Sequence, residues 1–283
     1  MFGSILKRYR EKLGLKQVDL IDRISHIGAE FGGLDEVTYS RWENSRTKPS
    51  LVKMGKILKA FGLLDELSVL VDQVGGYKIK HYVERRYGTS FDGRDCAYHT
   101  IHDRITVSQK RTINQQELIL YSSFNSKILG KDNLNEFTTL FSLSEESYLY
   151  QFYASDQSLL GHTIFHILDA EQFMKLSDIT LEGMHLYERG KKILFISSQY
   201  AGNTEIFFRI VDELNKLLRS KNIAFFYTRV FHQELVYMFR ALKFSILQKG
   251  PITKRGVHYK NNCYQWLGVF GETMYLILSD LGN

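Results

Sequence analysis

The stretch from Lys16 to Ser50, KQVDLIDRISHIGAEFGGLDEVTYSRWENSRTKPS, constrains this chain more than any other. From Gln17 to Ile24, Val18, Leu20, Ile21 and Ile24 fall mainly on one apolar face while Asp19, Asp22 and Arg23 turn outward, the spacing of an amphipathic helix. A second helix is expected from about Glu36 to Asn44. Asp35 suits its N-cap, because a carboxylate there accepts an orphan backbone N–H. Tyr39 and Trp42, three apart, face inward, which leaves Glu36, Val37, Thr38, Ser40 and Arg41 on the outer face. Ile5, Leu6, Tyr9 and Leu13 mark a helix before this pair, ended by Gly14. Leu51, Met54, Ile57, Leu58 and Phe61 mark one after it, with Gly62 as C-cap. Leu63 to Val74 adds a fifth, apolar on more than one face, so it needs a partner within its own domain, on a second domain or in a second copy of the chain.

The composite pattern resembles the lambda-repressor-like (Cro/cI, XRE) helix-turn-helix family over roughly Ile5 to Gly62. The residues that carry the resemblance are REKLGL from Arg10 to Leu15, Gln17 opening the second helix, Ser40-Arg41-Trp42-Glu43-Asn44, and Pro49-Ser50-Leu51 opening the next helix. The resemblance implies an all-α N-terminal helix-turn-helix domain that binds double-stranded DNA. Gln17 would lie by the phosphates, and Glu36, Val37, Thr38, Ser40, Arg41 and Asn44 would face the groove. Arg46 and Lys48 in the following loop are natural phosphate contacts, which position without reading sequence. The loop from His26 to Leu34 is longer than is usual in that family. The plainer alternative is a small helical bundle without a DNA role.

Charge points the same way. Residues 1–60 hold 12 of the 37 Lys and Arg but only 7 of the 31 Asp and Glu, so the remainder, with 25 and 24, is nearly balanced. Nearly all of the net charge of +6 therefore sits where a polyanion would bind. One such module buries too little surface for high specificity, so a homodimer on a palindromic site is expected.

At 283 residues the chain suits two domains. No run approaches the roughly 18 uninterrupted apolar residues of a membrane span. The start, MFGSILKRYREKLG, alternates apolar and charged residues instead of building a signal-peptide core. Cys96 and Cys263 are far apart and lack metal-ligand spacing, which reads as two reduced cysteines of a cytoplasmic protein with no membrane partner. Gly75-Gly76 marks a boundary. The expected organisation is residues 1–74 as the helical domain, 75–97 as a linker and 98–283 as a second domain. The basic, aromatic run beyond Gly76, YKIKHYVERRYGT, is a linker or a first strand lying along the second domain, and Tyr77 to Arg86 could also reach DNA.

From Tyr98 the texture becomes α/β. Helices are expected over Asn114 to Phe124, capped by Asn114, and Asn133 to Phe141. Strands are expected over Tyr148 to Ala154, Thr163 to Leu168 and Lys192 to Ser198. A helix over Thr204 to Leu218, a strand over Ile223 to Val230 and a helix over Gln233 to Leu242 follow. Two or three strands then finish the chain through Tyr275 to Leu278. Between the strand KILFISS and the long helix lies Gln199-Tyr200-Ala201-Gly202-Asn203-Thr204.

This order and this loop resemble the GNAT acyltransferase superfamily over roughly residues 100–283. The resemblance implies an α/β (α+β) domain with a central mixed, largely antiparallel sheet. In that family the loop follows Arg/Gln-x-x-Gly-x-Gly/Ala and binds the pyrophosphate of an acyl-coenzyme A. Gln199 and Gly202 match, and Thr204 replaces the small last residue. The ligand so implied is acetyl-CoA or another acyl-CoA. A helix N-terminus preceded by glycine suits an anion on general grounds. Active members carry an Asn near the start of the next helix, a Tyr five residues before a closing Phe and a Gly just before it. Here those positions hold His232, Phe239 and Lys243, and Phe239 cannot give a proton to a leaving thiolate. No catalytic residue is therefore assigned.

His162 and His166 could suggest a metal pair on a helix, but on a strand four positions span about 13 Å. His99 and His102 have no supporting cluster, and Glu145-Glu146 reads as a solvated turn. No P-loop, H-E-x-x-H or nucleophile-elbow pattern occurs. The leading expectation is a DNA-binding transcriptional regulator whose GNAT-like domain senses a small-molecule effector or dimerises. The alternatives are an N-acyltransferase carried to DNA by its head, and a second domain that makes only protein contacts.

Overall fold

A computed structural model of the chain describes residues 1–74, 76–88, 105–129, 134–177 and 190–281. It divides into two compact units, Met1–Tyr77 with Leu278–Leu281, and Lys78–Ile277. Cys96, His99 and His102 lie outside the described residues.

Unit 1 is helical: α1 (Phe2–Lys12), α2 (Gln17–Ser25), a 3-10 turn (Ala29–Phe31), α3 (Glu36–Glu43), α4 (Leu51–Ala60) and α5 (Asp65–Val74). Ile5, Leu6, Leu20, Ile24, Tyr39, Ile57 and Leu58 are buried together with Phe31 from the turn. Tyr9 stacks on Phe61 with ring centroids 4.6 Å apart. Val18 and Leu13, expected on apolar faces, are 53% and 44% exposed. Both sit at the margin of a stripe whose centre is already filled by Leu20, Ile24, Ile5 and Leu6. Gly14 and Gly62 adopt φ of +63° and +69°, the left-handed turn that ends a helix cheaply only with glycine. Tyr77 bridges Ser279, which brings the end of the described chain into this unit.

Unit 2 opens with α6 (Lys80–Gly88), so part of the stretch expected as a linker or strand is a helix, packed on two helices further along. Then follow β1 (Thr106–Lys110), α7 (Gln115–Leu129), α8 (Leu134–Leu143), β2 (Glu146–Tyr153), β3 (Leu159–Leu168), α9 (Ala170–Ser177), β4 (Lys192–Ala201), α10 (Thr204–Ser220), β5 (Ile223–Val230) and α11 (Gln233–Ala241). The chain closes with β6 (Ser245–Lys249), β7 (Ile252–Tyr259), β8 (Asn262–Tyr264), β9 (Leu267–Glu272) and α12 (Thr273–Ile277). Seven strands form one sheet in the order β1-β2-β3-β4-β5-β9-β6, and β7-β8 form a separate hairpin. Among the described residues, β4 and β5 pair parallel and the other neighbours in the larger sheet pair antiparallel. Two helices, an antiparallel run and strand-helix-strand-helix-strand are thus present in the GNAT-like order, with the mixed, largely antiparallel sheet that order implies.

Asn114 caps α7 as expected: its Oδ1 accepts from the Glu117 N–H at 2.9 Å, and Glu117 returns the bond to the Asn114 N–H. The strand expected through Tyr275 to Leu278 is instead the short helix α12. Thr273 Oγ1 donates to the Ile223 carbonyl at 2.7 Å and turns the chain there, a tertiary contact that overrides local β propensity. Glu145 and Glu146 do not form a merely solvated turn, since they pair with Lys192 and Lys221.

Candidate functional site

In unit 1, α3 is placed by its ends and its buried side. The Thr38 N–H donates to Asp35 Oδ1 at 2.6 Å, the expected cap. Tyr39 and Trp42 are buried, 0% and 8% exposed. Glu36, Val37 and Arg41 are exposed on the far side, with Thr38 and Ser40 half-buried beside them. Asn44 folds back, its amide donating to the Ser40 carbonyl at 2.8 Å. Arg46 and Lys48 are exposed in the loop that follows. Gln17 opens α2, but its amide donates inward to Glu43. Glu43, only 3% exposed at its side chain, also takes a bond from Arg10 Nε at 2.7 Å. The Arg10-Glu43-Gln17 cluster ties α1, α2 and α3 together and so fixes the angle of the exposed α3 face.

In unit 2 the structural event is the parting of β4 from β5. The two strands pair from Lys192↔Ile223 to Ile196↔Thr228 and no further, whereas β4 stays paired with β3 as far as Ala201↔Gly161. From Ser197 to Ala201 the main chain of β4 therefore presents a sheet edge toward the space that β5 has left. The ladder with β3 is irregular at the same place: Ile164 pairs with Ser198 but Phe165 pairs with Ile196, which leaves Ser197 as an extra, bulged residue.

A buried polar network holds that bulge. Asn125 Nδ2 on α7 donates to the Ser197 carbonyl at 2.7 Å, and its Oδ1 accepts from Ser198 Oγ at 2.9 Å. His162 Nε2 lies 2.8 Å from Ser198 Oγ, and because that hydroxyl proton goes to Asn125, His162 is assigned as the donor. His166 spans Ser197 Oγ at 2.8 Å and Ser147 Oγ at 2.9 Å. Ser197 and Ser198 are neighbours yet both reach the histidines of one sheet face, which regular alternation forbids and the bulge permits. Burial pushes both imidazoles down to about 3, so they are neutral hydrogen-bonding groups. Among the described residues there is no cluster of metal ligands.

The six residues expected as an anion-binding loop divide differently. Gln199, Tyr200 and Ala201 belong to β4, the turn is only Gly202 and Asn203, and Thr204 begins α10. The strand persists because the bulge restores β3 pairing beyond Ser197. The Gly202 N–H is already bonded to the Leu160 carbonyl at 3.1 Å. A side chain at Gly202 would meet that carbonyl oxygen at 2.9 Å, which explains the glycine. Asn203 caps α10, its Oδ1 accepting from the Ile206 N–H at 2.9 Å. Tyr200 is 47% exposed with its ring edge on Phe124.

On α11, Phe239 is buried between Phe226 and Phe244, with centroids at 5.7 and 5.1 Å. Tyr237 is exposed and faces Tyr82 of α6, so it does not replace the missing phenol. Lys243 has φ of +61°, the conformation that accounts for a glycine at this position in the GNAT pattern. His232 accepts from Arg86 at 2.8 Å, and loss of solvent together with that guanidinium lowers it to about 4. At the end of β5, Arg229 is buried against Glu136 of α8 at 2.6 Å. Asn125, Ser197, Ser198 and the Arg229-Glu136 pair were not singled out from sequence. The one available signal was His162 and His166 four apart on a strand, opposite two adjacent serines.

No protein-family profile and no curated protein matches the sequence. Among solved structures, Arabidopsis thaliana NAA60 in complex with acetyl-CoA is similar at 9% identity and a TM-score of 0.37, over 59% of this chain and 98% of that one. FeeM, an N-acyl amino acid synthase from uncultured soil microbes, is similar at 12% identity and 0.37, over 63% and 98%. An N-acetyltransferase from Staphylococcus aureus Mu50 gives 12% and 0.34, over 61% and 99%. Likenesses at this level assign no activity or ligand to unit 2.

Proposed function

We propose that unit 2 binds an acyl-coenzyme A along the β4 edge exposed beyond Ile196, and that unit 1 binds duplex DNA through the exposed side of α3. The observation that carries the first part is the parting of β4 from β5 next to the start of a 17-residue helix. A strand edge accepts an extended, amide-bearing ligand by main-chain hydrogen bonds, and the first turn of a long helix favours a pyrophosphate. Coenzyme A has both features. Gly202 and Asn203 make the tight turn and Thr204 opens α10; with the Gly202 and Ile206 N–H groups bonded to Leu160 and Asn203, the Thr204 and Glu205 N–H groups would be the ones to meet the pyrophosphate. The group would supply an activated acyl thioester, while this chain's part is to bind and orient it.

Titration calorimetry with acetyl-CoA and longer acyl-CoAs tests this directly. Thr204→Asp separates binding from folding, because a first-turn carboxylate suits the helix dipole but repels a pyrophosphate. Its affinity should fall at least about tenfold without loss of thermal stability. Equal affinity, or no binding by the wild type, would remove the proposal.

N-acyl transfer to an amine is the second reading, supported by the acyltransferase order of the elements. Phe239 in place of a phenol bears against it, since no tyrosine is placed there to protonate a leaving thiolate. An assay for free thiol with amine acceptors decides between transfer and sensing.

For unit 1, the reading rests on the exposed Glu36, Val37 and Arg41 over a buried Tyr39 and Trp42, with Arg46 and Lys48 beside them. A homodimer on a palindromic operator is part of the proposal. Arg41→Ala should weaken operator binding by about 1–3 kcal/mol more than random DNA, and Lys48→Ala should weaken both alike. Equal losses for Arg41→Ala would remove α3 as the reading face.

A further inference from the structure

Between Glu234 and Glu272 the sequence contains no Asp or Glu, yet it carries Arg240, Lys243, Lys249, Lys254, Arg255 and Lys260. Residues 61–283 as a whole balance 25 cations against 24 carboxylates, so this run is a local concentration of positive charge in an otherwise neutral part of the chain. The structure gathers its densest part on the β7-β8 hairpin and the end of β6. Lys249, Lys254, Arg255, His258 and Lys260 are all exposed.

Some cations elsewhere in unit 2 are matched, as in Lys110–Glu117, Lys216–Glu213, Lys221–Glu146 and Arg229–Glu136. Lys249 at the end of β6 and Lys254, Arg255 and Lys260 on the hairpin have no carboxylate partner among the described residues. Lys249 and Lys260 converge on one ring, with Nζ 5.8 and 5.7 Å from the centroid of Tyr259, and Lys249 is also 5.8 Å from that of Tyr264. Cation-π contacts hold the ammoniums in place without neutralising them. Gln233 of α11 anchors the hairpin, its Oε1 accepting from the His258 N–H at 2.6 Å.

We propose that this hairpin is a second anion-binding surface that contacts the phosphate backbone of duplex DNA, outside the helical head. Regularly presented lysines act as point charges on phosphates and confer no sequence preference. The choice of DNA over an acidic protein or an anionic membrane rests on the reading of unit 1 as a DNA-binding head. The hairpin would add nonspecific affinity to whatever that head recognises.

The test is the salt dependence of binding by the full chain. Fluorescence anisotropy on a random-sequence duplex is measured from 50 to 200 mM salt for three proteins: wild type, a hairpin variant (Lys254→Ala, Arg255→Ala, Lys260→Ala) and a head variant (Arg46→Ala, Lys48→Ala). Each neutralised phosphate contributes about −0.9 to the slope of log affinity against log salt. The hairpin variant should lose about 2.7 from the slope, so that the fourfold salt step weakens the wild type about 40-fold more than the variant. An unchanged slope overturns the hairpin proposal. If only the hairpin variant changes, the hairpin stands and the head reading fails. If only the head variant changes, the reverse holds, and no wild-type binding removes both. Polyglutamate and phosphatidylglycerol vesicles serve as the other arms. An equal or larger loss on either would assign the surface to an acidic protein or a membrane instead.

Discussion

Glu43 illustrates how single residues carry this structure. Its side chain is nearly sealed from water and takes hydrogen bonds from Arg10 and Gln17, so the Gln17 amide is engaged inside unit 1. Removing one partner of such a pair leaves an uncompensated buried charge. Glu43→Gln should lower the stability of unit 1 by about 3 kcal/mol in urea denaturation, and a loss under about 1 kcal/mol would mean the cluster does not hold the helices. The two buried histidines make a second prediction. Their folded values, about 3, lie below the ordinary value near 6.5, so between those limits the unfolded chain binds more protons. Their contribution is complete above about pH 7 and is lost as pH falls from 6.5 toward 3, by up to roughly 1.4 kcal/mol per pH unit for each. His166→Gln keeps a hydrogen-bonding group beside Ser197 but cannot titrate. Its stability between pH 6 and 4.5 should fall less steeply than that of the wild type by about 1 kcal/mol per pH unit, and an unaltered slope would show that His166 is not held neutral.

At the scale of the element, β4 is where local pattern and tertiary context part company. KILFISS reads as a strand from composition, but nothing in its sequence announces that Ser197 is bulged or that the strand continues through Gln199, Tyr200 and Ala201. One extra residue reverses which face each later side chain takes. The bulge depends on Asn125, 72 positions away, and on histidines of the neighbouring strand. Asn125→Ala would orphan the Ser197 carbonyl and the Ser198 hydroxyl, costing about 2–4 kcal/mol. Acyl-CoA affinity should fall with it, while Asn203→Ala, which removes only a cap, should cost about 1 kcal/mol. If calorimetry found the affinity of Asn125→Ala intact after its folding was verified, the network would be structural only. Capping was the legible part, because Asp35 and Asn114 act within three residues of themselves. Helix α12 was not legible, since its turn is set by a carbonyl 50 positions earlier.

For the whole molecule, the division into units does not follow chain order. Leu278 to Leu281 belong with the N-terminal helices, held by Tyr77 N–H to the Leu278 carbonyl at 3.1 Å and Asp280 N–H to the Tyr77 carbonyl at 3.0 Å. Leu278 is 0% exposed and Leu281 6%. Ending the chain at Ile277 should therefore destabilise unit 1 by about 3 kcal/mol or more, detected as a shift of its own calorimetric transition. An unchanged transition would free the helical head from that tail. By itself the sequence determined most of the helices and strands, though not α6, α9, α12 or β1, together with the charged character of the head and the outer face of α3, because these follow from periodicity, caps and composition acting over a few residues. Tertiary structure alone decided where β4 leaves β5, which side chains hold that bulge, and how an acid-free run becomes an exposed hairpin. Those features arise from contacts between segments tens of residues apart, and a local pattern carries no record of them.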